Sequence, residues 1–245
     1  MERLSLDSRF RGHDEHATLS WMVGNTLFDR LVAAAGATWP AYTRHDFVLH
    51  LARGDLPEAA FRHYLIQDYL FLLHFARAWG LAIYKSDTLA EMRRAQSLVA
   101  ATLDVEIGLH VEYCRGWGID PATIAAAPEA LQTVAYTRFV LDRGLAGDRL
   151  DLEIALAPCV VGYAEIAAER MADPATRLDG NPYKSWLDMY AGAEYQALAD
   201  EAKTALDEQF ARRGGEGRFP ALAATFTTAT RLEADFWQMG LAAAG

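Results

Sequence analysis

Cysteine is scarce in this chain. Cys114 and Cys159 are the only two in 245 residues, too few for a disulfide framework or a four-thiolate zinc site. A chain of this length with 52% apolar residues builds one large core without covalent staples, so a single domain in a reducing cytoplasm is expected. Long apolar runs are also missing. None reaches the roughly 20 residues that a spanning helix needs, which excludes a membrane role. Basic charge is in deficit, with 23 Lys and Arg against 33 Asp and Glu and a net charge of -10. No Lys/Arg cluster follows a helix face, so nucleic acid is excluded as a partner. The first 20 residues lack the apolar stretch of roughly 7–15 residues that marks a secretory signal. Residues 1–20 are expected to be a flexible leader, and residues 21–245 the folded domain, starting near Trp21.

Prolines are few, and β-branched residues rarely alternate with polar ones. Helix-forming Ala, Leu, Glu, Gln and Arg dominate, and the apolar period is 3.6 rather than 2. The pattern predicts an all-α protein with helices over 25–35, 42–52, 58–85, 89–117, 128–143, 150–171, 183–190, 193–213 and 221–243. Gly and Pro signals separate them, as in Gly54-Asp55-Leu56-Pro57, Asp179-Gly180-Asn181-Pro182 and Gly214-Gly215. Thr88 and Glu91 have the spacing of a capping box. Long helices with short connections favour an antiparallel bundle. Pro158 falls inside a helical pattern, removes one hydrogen bond and predicts a local kink beside Cys159.

Four constellations stand out as chemistry. In FRHYLIQDYLFLLHF, Tyr64, Asp68, Phe71 and Phe75 share one helix face and set a carboxylate in an aromatic stripe. Asp68 there either pairs with a neighbouring Arg or accepts hydrogen bonds from a flat, amine-bearing ligand. In LAPCVVGYAEI, Cys159 and Tyr163 stand four apart, Cys159 being a nucleophile if its surroundings activate it and a small core residue otherwise. Cys114 has no comparable company and is read as structural. In TRLEADFWQMG, Glu233 is flanked by Phe236 and Trp237, and is either a general acid whose pKa desolvation raises or a solvated carboxylate on the outer face of its helix. Tyr136 in VAYTRFV and Tyr190 in SWLDMYAG add phenols able to orient a ligand or complete the core. Finally, Glu106 and His110 are four apart, a metal-capable spacing to which Asp68, Glu165, Glu169 and Glu233 could add oxygens. The doubled Glu-x-x-His motif of di-iron bundles is missing, so ion-pairing or structural roles are the stronger reading.

Taken in order, FRHYLIQDYLFLLHFAR, AYT around Tyr136, LAPC with Tyr163, WLDMYAG and LEADFW resemble the TenA family, also called thiaminase II or aminopyrimidine aminohydrolase, from about residue 25 to residue 243. The resemblance implies a single-domain haem-oxygenase-like helical bundle without haem or any other cofactor, usually as a homotetramer. It implies hydrolysis of 4-amino-5-aminomethyl-2-methylpyrimidine to the hydroxymethylpyrimidine and ammonia in thiamin salvage, with slower thiamin cleavage. Cys159 would be the nucleophile, as in the Cys-bearing branch of the family, and Glu233 the acid/base. Asp68 would bind the pyrimidine edge, Tyr136, Tyr163 and Tyr190 would support thiol and ring, and Phe236 would pack on the ring. Where the family often has a second tyrosine one turn after the Asp, this chain has Phe71, which bears on substrate preference. Two other functions fit the residues: a non-haem metal-dependent oxidase using Glu106 and His110, and a non-catalytic binder of pyrimidine or thiamin.

Overall fold

A computed structural model describes residues 26–245, and the expected leader and the start at Trp21 lie outside the described residues. Helices follow one another with no strand among these residues: α1 (Leu27–Ala35), α2 (Thr38–Thr43), α3 (Asp46–Arg53), α4 (Glu58–Tyr84), α5 (Leu89–Ala100), a π-helical segment (Ala101–Glu106), α6 (Ile107–Gly116), α7 (Pro121–Ala125), α8 (Leu131–Ala146), α9 (Arg149–Ala172), α10 (Lys184–Ala191), α11 (Ala193–Arg213) and α12 (Phe219–Ala242). The result is the expected all-α, single-domain fold. α9 lies at its centre, packed against α8, α10, α11 and α12, while α4 packs on α5, α6, α8 and α12.

Local chemistry explains the boundaries. The capping box at Thr88 forms as expected: Glu91 N–H donates to Thr88 Oγ1, and Glu91 Oε2 accepts from Thr88 N–H. Glu91 Oε1 also accepts from Gln209 at 2.9 Å and Arg212 at 2.7 Å, tying the start of α5 to α11. Burial opposes its charge, but Gln209, the Asp87 N–H, Arg149 and Arg213 together hold its pKa at about 2. α8 starts at Leu131 rather than 128 because Gln67 reaches over from α4. Its amide oxygen accepts from Ala130 N–H at 2.8 Å and Thr133 Oγ1 at 2.7 Å, and its nitrogen donates to the Pro128 carbonyl at 3.0 Å.

Two helical expectations are corrected. The helix expected over 42–52 is two, α2 and α3, because His45 accepts the Phe47 N–H at 3.2 Å and starts a new helix. The helix expected over 89–117 is interrupted by the π segment. Thr102 Oγ1 donates to the Leu98 carbonyl at 2.9 Å, and the wider turn that follows re-aims the residues beyond it. Pro158 lies within α9, which continues unbroken across it.

Close packing beside Pro158 depends on a missing side chain. Tyr42 of α2 donates its hydroxyl to the Pro158 carbonyl at 3.2 Å. It reaches that carbonyl over Gly162, where an added Cβ would stand 2.5 Å from Tyr42 Cε1. Both are buried, so the ring has little room to retreat. Gly162→Ala is therefore expected to destabilise the protein by about 1–3 kcal/mol through overpacking. The melting temperature should fall by roughly 2–4 °C per kcal/mol in a chain of this size, and an unchanged thermal melt would refute the contact.

Candidate active site

Five helices and the π segment supply the residues, and they converge on one interior region. α4 provides Tyr64, Asp68 and Phe71, α8 provides Tyr136, and α9 provides Cys159 and Tyr163. Tyr190 comes from α10, Glu233 and Phe236 come from α12, and Glu106 closes the π segment. The rings form a continuous wall: Phe71 lies 4.9 Å from Tyr136 and 5.9 Å from Phe236, Tyr64 lies 6.1 Å from Phe236, and Tyr163 lies 4.9 Å from Tyr190. All eight residues singled out as candidates in the sequence are thus brought together. Phe71 has no hydroxyl and contributes to this wall by packing alone.

Asp68 is the hub of the hydrogen bonding. Its Oδ2 accepts from the Tyr64 hydroxyl at 3.0 Å and lies 2.6 Å from His110 Nε2. Trp186 Nε1 donates to the Tyr64 oxygen at 3.3 Å, and the Tyr163 hydroxyl stands 3.5 Å from it. His110 Nδ1 lies 2.8 Å from the Glu106 carbonyl oxygen. A carbonyl only accepts, so Nδ1 carries a proton, and the contact with Asp68 holds another. Burial works against an imidazolium, but the hydrogen bond and charge of Asp68, aided by Glu106, raise the His110 pKa. The pair is an enclosed ion pair. Of the two readings left open for Asp68, partnership with an Arg is corrected: its cation is His110.

The remaining carboxyls have no cation of their own. Tyr136 donates to Glu233 Oε1 at 2.8 Å, and Tyr190 donates to Glu106 Oε1 at 2.9 Å. Burial raises the Glu233 pKa to about 8, with the charge of Asp68 adding to it and the Tyr136 hydrogen bond opposing. Burial, then the charge of Asp68, raises the Glu106 pKa to about 7, with His110 and Tyr190 opposing. At neutral pH one carboxyl holds its proton and the other is half ionised. Cys159 is half-buried, and its thiol is pushed well above the usual range, first by burial and then by Glu233, Glu106 and Asp68. The resting sulfur is therefore a thiol, and these three carboxyls are near enough to govern its ionisation.

Several acceptors are left over. No hydrogen bond among the described residues reaches Asp68 Oδ1, Glu106 Oε2, Glu233 Oε2 or Cys159 Sγ, although the opposite oxygen of each carboxyl is engaged. A cavity of about 220 Å³, walled by Phe75, Leu98, Thr102, Val160 and Tyr195, opens onto Glu106. An aromatic-walled interior with one fixed ion pair, two carboxyls that titrate near neutrality and a thiol can bind a flat cationic or amine-bearing ring. It can also move protons to and from that ring.

The metal reading of Glu106 and His110 is corrected. His110 spends both nitrogens on Asp68 and a backbone carbonyl, and no group of three or more His, Cys, Asp or Glu among the described residues is placed to hold an ion. Glu165 and Glu169, offered as further oxygens, instead pair with Lys203 at 3.0 Å and Arg44 at 2.9 Å. Cys114 is buried, apart from these groups, with its pKa raised by burial. Tyr64 as a donor to Asp68 and Trp186 as a donor to Tyr64 were missed in the sequence. The only signal was the i, i+4 spacing of Tyr64 and Asp68.

An uncharacterized protein of Haemophilus influenzae is 40% identical over 88% of this chain and 99% of its own length. The aminopyrimidine aminohydrolase of Halalkalibacterium halodurans is 35% identical, over 85% of this chain and 92% of its own. The solved structure of a TenA family transcription regulator from Silicibacter sp. TM1040 has a TM-score of 0.84 and 46% identity, over 89% of this chain and 97% of that one. Among the described residues no helix is long and apolar enough to cross a membrane. Residues 33–243 match the model of the TENA/THI-4/PQQC family, and the chain belongs to that family.

Proposed function

We propose that the protein hydrolyses a thiamin-related aminopyrimidine, releasing ammonia from 4-amino-5-aminomethyl-2-methylpyrimidine and cleaving thiamin more slowly, with Cys159 as nucleophile. The observation that carries this reading is the set of free acceptors, Asp68 Oδ1, Glu106 Oε2 and Glu233 Oε2, around one unpaired thiol within an aromatic wall. A pyrimidine bearing an amino group donates to Asp68 Oδ1, which satisfies the acceptor that His110 leaves unpaired. The relative named aminopyrimidine aminohydrolase supports the same substrate class.

Chemistry follows from the protonation states. Glu233, protonated at neutral pH, donates to a ring nitrogen and makes the ring electrophilic. Glu106, half ionised, takes the thiol proton as the Cys159 sulfur adds to a ring carbon and breaks the aromaticity. The ring electrons then expel the amine from the neighbouring methylene, and the amine leaves as ammonia with the proton held by Glu106. Water adds to the exposed methylene and gives a proton back to Glu233, and the sulfur then leaves the ring carbon and recovers a proton from the ring nitrogen, which restores both the aromatic ring and the thiol. Tyr136 and Tyr190 hold the two carboxyls in place, and Phe71 and Phe236 pack against the substrate ring. The Phe71 ring keeps the shape of a tyrosine but omits a hydrogen bond worth on the order of 1 kcal/mol, which shifts substrate preference and leaves the reaction class unchanged. A solved relative is named a transcription regulator, and for this chain a net charge of -10 disfavours a role on nucleic acid.

The proposal extends to a homotetramer in the cytoplasm. Exposed Leu103, Val105 and Leu109, on the π segment and α6, are apolar surface that an assembly covers. Light scattering on the purified protein tests the assembly.

Cys159→Ser is expected to lower ammonia release by at least about a thousandfold, because a hydroxyl is a far weaker acid than a thiol and a carboxylate base does not ionise it. Full turnover in that variant would end the nucleophile assignment, while tight pyrimidine binding without turnover in the wild type would make the protein a binder. Because the base must be ionised and the acid protonated, kcat/KM should peak between pH 7 and 8, with limbs set by the Glu106–Glu233 system.

Glu233→Gln separates chemistry from stability. In the native state Glu233 keeps its proton up to about pH 8, whereas the unfolded chain releases it near 4.5. The native state therefore binds more protons across that window, and wild-type stability falls as pH rises through it. Gln removes this burden. The variant is expected to lose turnover yet gain stability relative to wild type between pH 5 and pH 8, by on the order of a few kcal/mol. Urea denaturation at the two pH values measures it, and a pH-independent difference would contradict the buried-acid assignment.

A further inference from the structure

We propose that the cavity opening onto Glu106 is a subsite for the departing group, and that it extends the activity to pyrimidines whose methylene carries a flat aromatic cation of any kind in place of the amine. The assignment rests on the proposed hydrolase mechanism, in which Glu106 supplies a proton to the departing amine and so faces the departing group. The cavity lies beside the wall that packs on the pyrimidine. Of its lining residues, Phe75 stacks on Phe71 at 5.8 Å, and Val160 follows Cys159 in α9. Tyr195 of α11 stands edge-to-face with Tyr190 at 4.8 Å, and Tyr190 is the residue that holds Glu106.

Ammonia does not account for the size of this space. Its volume is about 220 Å³, whereas a water-sized molecule takes roughly 30 Å³ and an apolar void of about 150 Å³ already admits a benzene-sized ring. The lining also selects a sign of charge. Glu106 and Glu194 are its charged members, and no Lys, Arg or His joins them. His110, one turn from Glu106, is committed to Asp68, and Glu194 is exposed. Thr102 spends its hydroxyl on the Leu98 carbonyl. The rest is aliphatic, apart from the rings of Phe75 and Tyr195 and the thioether of Met189. Aromatic faces, a polarizable sulfur and two carboxyls favour a ring that carries positive charge over a neutral ring of the same shape. The thiazolium of thiamin is one such ring, but nothing in the lining reads its sulfur or its substituents. Flatness and charge are the features recognised, so a plain pyridinium suffices.

With a pyridinium on the methylene the reaction balances without a proton for the departing group. The Cys159 sulfur adds to the ring carbon as its proton passes to Glu106. The ring electrons break the bond from methylene to nitrogen, the bonding pair stays on that nitrogen, and neutral pyridine departs into the cavity. Water then adds to the methylene and returns a proton to Glu233. The sulfur leaves with the ring-nitrogen proton, and Glu106 releases its own to solvent. The products are the hydroxymethylpyrimidine, pyridine and one proton.

Three pyrimidines that differ only at the methylene test the subsite: the aminomethyl compound, the pyridinium compound and a benzyl compound, which keeps the shape of the pyridinium but has neither its charge nor a leaving group. The wild type is expected to release pyridine, followed by absorbance. The pyridinium compound should compete with ammonia release at least about tenfold more strongly than the benzyl compound, the difference that a desolvated cation over aromatic rings makes. Leu198→Trp, which fills the cavity from a half-buried position on α11, should lower kcat/KM for the pyridinium compound at least about tenfold while ammonia release stays within about threefold of wild type. Ammonia release without pyridine release, equal competition by the benzyl compound, or an equal change in both activities of a folded Leu198→Trp protein would each overturn the proposal. A wild type that releases no ammonia fails the hydrolase reading itself, which the aminomethyl compound tests alone. The wild-type comparison of the pyridinium and benzyl compounds decides the matter even if the variant does not fold.

Discussion

Three carboxyls share the interior with one cation, and the arrangement of the site follows from that imbalance. Asp68 claims His110, whose pKa it raises, and the pair is enclosed. Glu106 and Glu233 have only phenols to lean on, and a tyrosine hydrogen bond does not offset the loss of water around a charge. They respond by keeping protons, which places their pKa values at about 7 and about 8. Each unit of that shift opposes folding at high pH by about 1.4 kcal/mol. The fold therefore carries a strain at its centre that an apolar replacement would relieve, as expected where a site is built for chemistry rather than stability.

The helices that carry these groups are distant in sequence, and their relative placement depends on a few local irregularities. The wide turn at Ala101–Glu106 brings Glu106 to Tyr190 and hands its carbonyl to His110 one turn later. Gly162 lets Tyr42 lie against α9 and engage the Pro158 carbonyl, immediately before Cys159. Gln67, next to Asp68 in the chain, anchors the start of α8 and thus the helix that carries Tyr136. Each irregularity sits one or two residues from a side chain of the site, and together they fix its geometry on rigid elements.

The all-helical class was legible in the helical period of the sequence, whereas the grouping of Asp68, Cys159 and Glu233 came from the order of five segments that resemble a known family, each segment alone showing only which residues share a helix face. The π segment was not legible, since an extra residue per turn hardly changes the apolar period over one helix. The ion-pairing role preferred for His110 holds, but its partner was not legible. Its four-residue spacing from Glu106 fits a metal ligand pair equally well, and the partner that decides the matter, Asp68, lies 42 positions away. Spacing reveals which residues share a face, whereas the identity of a cross-helix partner is a property of packing.

A thiol held well above its usual pKa looks at first like a poor nucleophile. The difficulty is removed by the same charge imbalance that creates it. The negative field that keeps Cys159 protonated is strongest when no substrate cation or hydrogen-bond donor faces Asp68 and Glu106. In the proposed reaction, a ring that takes the Glu233 proton becomes a cation beside the sulfur, and that positive charge favours the thiolate at the moment it must form. Thiolate formation is thereby linked to the presence and protonation of the substrate. The resting enzyme keeps the less oxidisable thiol form. A low standing pKa would serve catalysis no better and would leave a reactive anion exposed between turnovers.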